Sequence, residues 1–499
     1  MLLEEIVETS DAVTSTSARS EKIELLANVL RRLDPAEAAI GVSYLAGSPT
    51  QRKLGAGPAT VYGMEEEPAT TPTLQIVEVD DILEKVAETS GAGSKSRREA
   101  LLRDLLGRAT KREQEYLRGL MVRNLRQGAL EGVMAEAVAA ALGVDPVRVR
   151  RAAMLEGDLV AVSARALTDG PESLTTVSME VGVPVQPMLA RTAESAGGAV
   201  EELGEGVVER KLDGLRLQVH RRGDEARVFT RNLRDVTDEV PAVRAAALRL
   251  KAGSFILDGE GLVVGPDGSP MSFQDSMSRP DDRGGHPLTA FYFDVLHLDG
   301  VDLVDSPLSE RRQAMERFIP SDLRVGSIVT SDPGAADAYF EASVAKGFEG
   351  VVVKDLTQPY EAGRRGSGWL KVKPTHTLDL VVLAAEWGSG RRQGWLSNLH
   401  LGAVGPDGGY VMLGKTFKGL TDEMLEWQTA AFLEIEGHRS GRTVFLKPEI
   451  VYEIAFDGVQ RSTRYPGGVT LRFARVKGVR DDKDPKDADT LETVRSFLR

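Results

Sequence analysis

The sequence predicts a three-part chain: an all-α region over residues 1–183, an α+β domain over 184–374, and a small β-barrel over 375–499 for which an OB-fold is the candidate. Three observations carry this. The 499 residues exceed what one hydrophobic core supports. Apolar residues recur at three- and four-residue spacing up to about residue 170. After the segment ending VGVPVQPMLA the period shortens to two, and near 375 it changes again to short runs broken by glycine turns.

The helical runs are SEKIELLANVLRRL, REALLRDLLGRAT, KREQEYLRGLMVRNLRQ and LEGVMAEAVAAAL. A turn-rich break over 47–72 and a second, TSGAGSKSRRE, interrupt them. The second break lacks GxxxxGK[ST] spacing, so a flexible turn leading into a helix cap accounts for it better than a P-loop. Arg52, Lys53 and Lys95 stand near glycines, where backbone N–H groups could approach a phosphate. In the middle domain GLRLQVHRR and EARVFTR form a predicted hairpin turning at Gly223-Asp224, with Lys211 at the head of a strand beside a cleft. SFILDGEGLVVG, TAFYFDVLHLDG, GVVVKDL and WLKVKP are further strands, and SERRQAMERFI and PGAADAYFEASVAKG are helical inserts. Beyond THTLDLVVLAAEWG, the runs NLHLGAVGPDGGYVMLGKTF, EIVYEIAFDGVQRS and TLRFARVKGVRDD suit a small barrel.

Composition narrows the chemistry. With no cysteine there are no disulfides, thiolate nucleophiles, zinc fingers or iron–sulfur clusters. The 6 histidines show no HxxxH or HxH spacing, so a histidine metal site is not expected. MLLEEIVETSD is acidic where a signal peptide is basic, and no apolar run reaches a membrane-spanning length, so a cytoplasmic protein without membrane contact is expected. The net charge of −13 speaks against a polyanionic partner only on average. Between Lys95 and Gln127, ten Lys/Arg (95, 97, 98, 103, 108, 111, 112, 118, 123, 126) face four acids (99, 104, 113, 115), a local +6. A solvated helix face and a phosphate-binding face both fit that pattern.

Lys211 belongs to a K-x-D-G-x-R tetrad ending at Arg216, with Asp213 and Gly214 between them. Downstream, FILDGEGLVV carries Asp258 and Glu260, and FYFDVLHLDG sets Phe293 among apolar neighbours. KGFEGVVVKD places Glu349 and Lys354 around a valine run. RRGSGWLKVK supplies Arg365 and, two apart on one strand face, Lys371 and Lys373. LRFARVKGVRDDK adds Arg472, Arg475, Arg480, Asp482 and Lys483. Each cluster alone has an ordinary reading as core strand or snorkelling edge; the set, in this order, supplies the parts of a nucleotide-transfer site.

In these six segments, KLDGLR, FILDGE, FYFDVL, EGVVVK, WLKVK and LRFARVKGVRDDK, the chain resembles ATP-dependent DNA ligases of the nucleotidyltransferase superfamily, in the archaeal-like bacterial form with an N-terminal helical DNA-binding domain. The resemblance covers nearly the whole chain. It implies an ATP-grasp-like adenylation domain, a lysyl–AMP intermediate on Lys211, transfer of AMP to a DNA 5′-phosphate, and 3′-hydroxyl attack that seals the nick. It also implies that Glu209 accepts from the adenine amine and Phe293 stacks on the ring. Arg216, Arg231 and Glu260 would hold ribose and phosphate, Arg365, Lys371 and Lys373 would surround the α-phosphate, and Glu260 and Glu349 would bind Mg²⁺, with Mn²⁺ the alternative. Arg472, Arg475, Asp482 and Lys483 would orient pyrophosphate before the C-terminal barrel rotates away.

A lysine attacks only when neutral, and the surrounding Arg216, Lys371 and Lys373 would disfavour its ammonium form. The expected partner is nicked double-stranded DNA, gripped through phosphates by Arg52, Lys53 and Lys95 among others, with steep salt dependence. A monomer associated with the nucleoid is expected. ATP is preferred to NAD because the four-cysteine zinc module of NAD-dependent ligases is absent. An RNA ligase or a GTP-using capping enzyme shares the lysine motif, and a silent DNA clamp could keep the shape.

Overall fold

Helices fill the first third of the chain, from Leu3–Ser15 to Leu159–Asp169. The computed structural model describes residues 1–125, 131–265, 271, 287–361 and 365–498. Arg126 and most of the loop between Glu260 and Phe293 therefore lie outside the described residues. The helices bury one apolar cluster, with Leu3, Leu83, Leu105 and Leu117 fully enclosed. The run predicted to continue to 127 stops at Met121, because Arg123 takes a positive φ of 55° that a right-handed helix cannot contain. At the other end of that helix Thr110 and Glu113 form a capping box, which fixes its start at Lys111.

Two five-stranded sheets make the middle domain. The first runs in the order Leu189–Thr192, Arg365–Val372, Gly350–Asp355, Gly206–Lys211, Ser327–Thr330. The second runs Glu225–Thr230, Leu215–Arg222, Ser254–Leu262, Thr289–Leu298, Val301–Asp302. The predicted hairpin is present, with Arg222 opposite Glu225 and Gly223 at φ 59°. Lys211, however, closes the strand Gly206–Lys211 rather than heading the next one. The reason is topological: Leu212, Asp213 and Gly214 carry the chain from the first sheet to the second, so the motif occupies a crossover.

Helix Leu308–Phe318 packs on the second sheet and brings Arg311, fully buried, against Asp294 at 2.7 and 3.0 Å. Arg311 also donates to the carbonyls of Ser306 at 2.6 Å and Gln358 at 3.2 Å, so every face of the guanidinium is used. Replacing it with methionine should leave Asp294 buried and uncompensated, at a loss of about 3–5 kcal/mol. Urea unfolding followed through this domain checks the value, and a loss below about 1 kcal/mol would show that the pair is dispensable.

The C-terminal region is β-rich. Its main sheet orders Tyr410–Thr416, Leu396–Val404, His376–Trp387, Thr443–Leu446 and Glu436–Ser440, with Val451–Phe456 also on His376–Trp387 and Arg475–Val479 beyond it. His376–Trp387 serves three neighbours by bending at register shifts after Val382 and Glu386. Among the described residues the ladder does not return to its first strand, so the region is β-rich as expected but its sheet is not a closed barrel. Helix Asp422–Glu434 covers one end and buries Leu425 and Phe432. The expected boundary at 183 falls between Pro171–Thr175 and Leu189–Thr192, and that at 374 between Val372 and His376.

Candidate active site

The two sheets meet at Lys211. In the first sheet Lys211 pairs with Gly350, and the backbone N–H of Glu349 donates to the Lys211 carbonyl at 3.0 Å. Gly350 sits at φ 141°, and a Cβ there would lie 2.1 Å from the carbonyl oxygen of Val372, so only glycine brings Glu349 this close. At Gly214 a Cβ would come within 2.3 Å of the Gly261 carbonyl, which explains the glycine of the crossover. Lys211 Nζ pairs with Glu349 Oε2, and Lys373 pairs with Glu349 Oε1. Lys373 reaches on to Asp457 at 3.3 Å, which accepts from Arg475 at 3.0 Å. A row of alternating charge therefore runs from Lys211 into the C-terminal domain. The immediate neighbour of Lys211 is a carboxylate, where the sequence reading surrounded it with cations.

Beside this row lies a cleft of about 180 Å³, lined by Glu209, Lys211, Arg216, Arg231, Glu260, Phe293, Trp369 and Lys371 among others. Glu209 is buried at its floor and accepts from Arg312 at 2.8 Å and from Lys354 at 2.6 Å. Lys354 lies 4.4 Å from the Phe293 ring centre and 4.2 Å from that of Trp369. Burial pushes its ammonium pKa down against the opposing pull of Glu209. Arg216 forms one wall, forked onto the buried Asp258 at 2.9 and 2.6 Å and 5.0 Å over Phe293. Glu260 accepts from the Gly214 N–H at 3.1 Å. Burial raises its carboxyl pKa to about 7, although Arg216 and Lys211 pull the other way. Burial works against the charge of Lys373, but Glu349 and Asp457 outweigh it and its pKa is raised.

Glu209, Lys211, Arg216, Arg231, Glu260, Phe293 and Lys371 thus line one cleft, with Glu349 and Lys373 at its edge. Arg365 starts the strand Arg365–Val372, but its side chain is not among the described atoms. Arg472 forks onto Asp213 at 2.5 and 3.2 Å, bringing the last motif against the first. Asp482 and Lys483 are not brought to the cleft. Asp482 is clamped by Arg480 at 2.8 and 2.9 Å, and Lys483 pairs with Asp379 at 2.5 Å, all within the C-terminal domain.

In the helical region the two glycine turns lie side by side, because Arg98 donates to Thr89 O at 2.5 Å and to Gly55 O at 3.4 Å. Arg52, Lys53 and Lys95 are exposed there. Much of the +6 segment is internally matched, however. Arg103 pairs with Glu66, Arg108 with Glu78, and Arg112 with Glu4 and Asp11. Arg118 and Arg123 are turned onto the carbonyls of Met64 and Gln51. The segment is a narrower cationic surface than its composition implied.

Sequence reasoning assigned no role to Arg312, Trp369, Lys354 or Asp457. Trp369 stood in a quoted motif, and its position two before Lys371 puts it on the same strand face. Arg312 comes from a helical insert and carried no such signal.

Covalent nucleotide transfer is the chemistry this arrangement suits: a lysine fixed at a sheet junction, an aromatic-walled cleft beside it, and cations converging from two domains. Family models agree. Residues 187–373 match the ATP dependent DNA ligase domain, 392–483 the ATP dependent DNA ligase C terminal region, and 59–139 the DNA ligase N terminus. A probable DNA ligase of Nocardioides sp. strain JS614 is 51% identical over 506 residues, covering 100% of this chain and 99% of that one. One from Anaeromyxobacter sp. strain Fw109-5 is 52% identical over 508 residues, covering 100% and 98%. The chain belongs to the ATP-dependent DNA ligase family, and is on that ground an enzyme. A solved structure described as Pmar-Lig_Pre shares the fold, with TM-score 0.63 and 18% identity over 95% of this chain and 99% of that one.

Proposed function

We propose that this cleft carries AMP from ATP to a nick in duplex DNA by way of Lys211. Neutral Lys211 Nζ attacks the α-phosphorus; the P–N bond forms as Nζ releases a proton to solvent, the bond to the β-phosphate oxygen breaks and pyrophosphate leaves. An oxygen of the DNA 5′-phosphate then displaces lysine, which regains its proton. The 3′-hydroxyl next attacks the activated 5′-phosphorus, its proton is lost, and AMP departs as the phosphodiester forms. The observation that carries this reading is the placement of Lys211: backbone-fixed, partly buried and at the mouth of a cleft containing Phe293, Arg216 and Lys371.

Within it, Glu209, held in place by Arg312 and Lys354, accepts from the adenine amine, and Phe293 stacks on the ring. Arg216, Arg231 and Glu260 hold ribose and phosphate, while Arg365, Lys371 and Lys373 surround the α-phosphate. Arg472 and Arg475 are the cations favoured to orient pyrophosphate; Asp482 and Lys483 would need the C-terminal domain to move. Glu260 fits a divalent ion, since its carboxylate lines the cleft and burial leaves the anion short of solvation. Glu349 fits less directly, because each of its oxygens already holds a lysine. When bound, Mg²⁺ or Mn²⁺ would neutralise phosphate charge. Among the described residues no cluster of three or more acidic or histidine side chains would hold a metal without substrate oxygens.

We read the bent C-terminal sheet with helix Asp422–Glu434 as an OB-fold and keep 1–183, 184–374 and 375–499 as the three domains. No described helix is long and apolar enough to cross a membrane. A monomer acting in the cytoplasm at the nucleoid completes the reading.

The experiment is incubation with α-labelled ATP, then with a nicked duplex. Acid-labile label on the protein that passes to the 5′-phosphate is expected; label from GTP or NAD alone would overturn the nucleotide. For the DNA grip, Arg52→Ala should lower the slope of log binding constant against log salt by about 0.9, the loss of one phosphate contact. Anisotropy of a labelled nicked duplex over a salt series reads this, and an unchanged slope removes Arg52 from the interface.

A further inference from the structure

We propose that Tyr360 is a positioning residue for the nucleotide, its hydroxyl held by the backbone of the interdomain linker and fixing the Asp258–Arg216 pair that walls the cleft. This rests on the reading of the cleft as an ATP site. Tyr360 lies outside every motif that drew attention in the sequence, between the strands Gly350–Asp355 and Arg365–Val372, and is 2% exposed. Its hydroxyl donates to Asp258 Oδ2 at 2.6 Å and accepts from the Met188 N–H at 2.9 Å, with Arg216 Nη2 at 3.5 Å.

Asp258 is 1% exposed and already spends both oxygens on Arg216. The tyrosine therefore supplies the second donor to Oδ2 and sets the plane of the carboxylate, and with it the plane of the guanidinium. Burial pushes the phenol well above its ordinary range, so it remains a donor at neutral pH.

The linker end of the relay is equally fixed. Gly182 N–H donates to His220 Nδ1 at 2.9 Å, Val185 exchanges hydrogen bonds with the Gln218 amide at 2.7 and 2.9 Å, and Gln186 N–H donates to Met154 O at 3.1 Å. Met154, in the helix Pro146–Glu156 of the helical region, packs in the same apolar cluster as Tyr360 and Trp369. A displacement of the linker is thus felt at Met188, and from there at Arg216.

Tyr360→Phe keeps the ring in this cluster and removes only the oxygen. In the full chain, self-adenylylation measured against ATP concentration should show KM for ATP raised about tenfold, the effect of one hydrogen bond to a charged partner. The limiting rate should stay within about twofold and the thermal midpoint within a few degrees. The double variant with Asp258→Asn should be no worse than Asp258→Asn alone, because the two act in series. An unchanged KM in a variant that labels normally overturns the proposal, as does full additivity in the double variant. Loss of stability and rate with no KM shift would reduce Tyr360 to a core residue. Failure of the wild type to label at all would instead strike the reading of the site.

Discussion

Lys211→Ala should lose covalent labelling by α-labelled ATP completely, with sealing of an ordinary nick falling below detection. Alanine keeps the strand pairing of residue 211 with Gly350, which is made by backbone alone, so the fold should survive. What is lost is the amine that the end of the strand Gly206–Lys211 holds at the cleft mouth. The same variant offered a nick that already carries AMP on its 5′-phosphate should retain substantial joining, since that last step needs no lysine nucleophile. Circular dichroism and a gel after acid and base treatment make the check. Persistent acid-labile label on the variant would mean that another group is the nucleophile.

Glu349→Gln should slow self-adenylylation by about 100-fold, the scale of loss when a reacting group is misplaced by a fraction of a bond length. The substitution keeps size and backbone, including the N–H that donates to the Lys211 carbonyl. It cannot keep both pairs: an amide offers one oxygen and one NH₂, and Lys211 and Lys373 each bring only donors. One ammonium loses its acceptor, and the geometry that aims Lys211 goes with it. Single-turnover rates over a Mg²⁺ series separate two causes. A deficit that persists at saturating Mg²⁺ assigns the loss to the lysine pairing, while recovery at high Mg²⁺ assigns it to metal binding. Wild-type rates throughout would remove Glu349 from the chemistry.

Much of the candidate cleft was readable because its residues sit on strands or directly beside them, where a motif fixes both sequence spacing and direction. Lys211, Glu260, Phe293, Glu349 and Lys371 all stand on the ordered ladders or beside them, and alternation put them on recognisable faces. The position of Lys211 on its strand was misread because KLDGLR looks continuous in sequence. Nothing local says that three residues leave one sheet and enter another. Arg312 and Tyr360 were missed for a different reason. Each acts from a segment whose sequence describes a helix or a loop, and their relevance appears only when the chain returns to the second sheet. Arg311 left a trace that went unused: it shares a face with Leu308 and Met315, and a charged residue at such a position announces a buried partner. The β-rich character of the C-terminal region was legible in its short strands with glycine turns, whereas closure was not, because it depends on shear between distant strands. The +6 segment misled by composition, since its balancing acids come from Glu4, Asp11, Glu66 and Glu78, far off in sequence.

The row Lys211–Glu349–Lys373–Asp457–Arg475 begins and ends on a cation, so before reaction it holds one positive charge in excess. A triphosphate is drawn toward such a row. In the proposed reaction Lys211 gives up its ammonium proton before it attacks, so the row becomes electrically even as the nucleophile forms, and the AMP it then carries would bring its own negative charge beside Glu349. Asp457 and Arg475 belong to the C-terminal domain, so the covalent event on one domain also alters the charge balance of its contact with the other. In that reading, readiness for chemistry and the contact between the domains depend on the same ammonium.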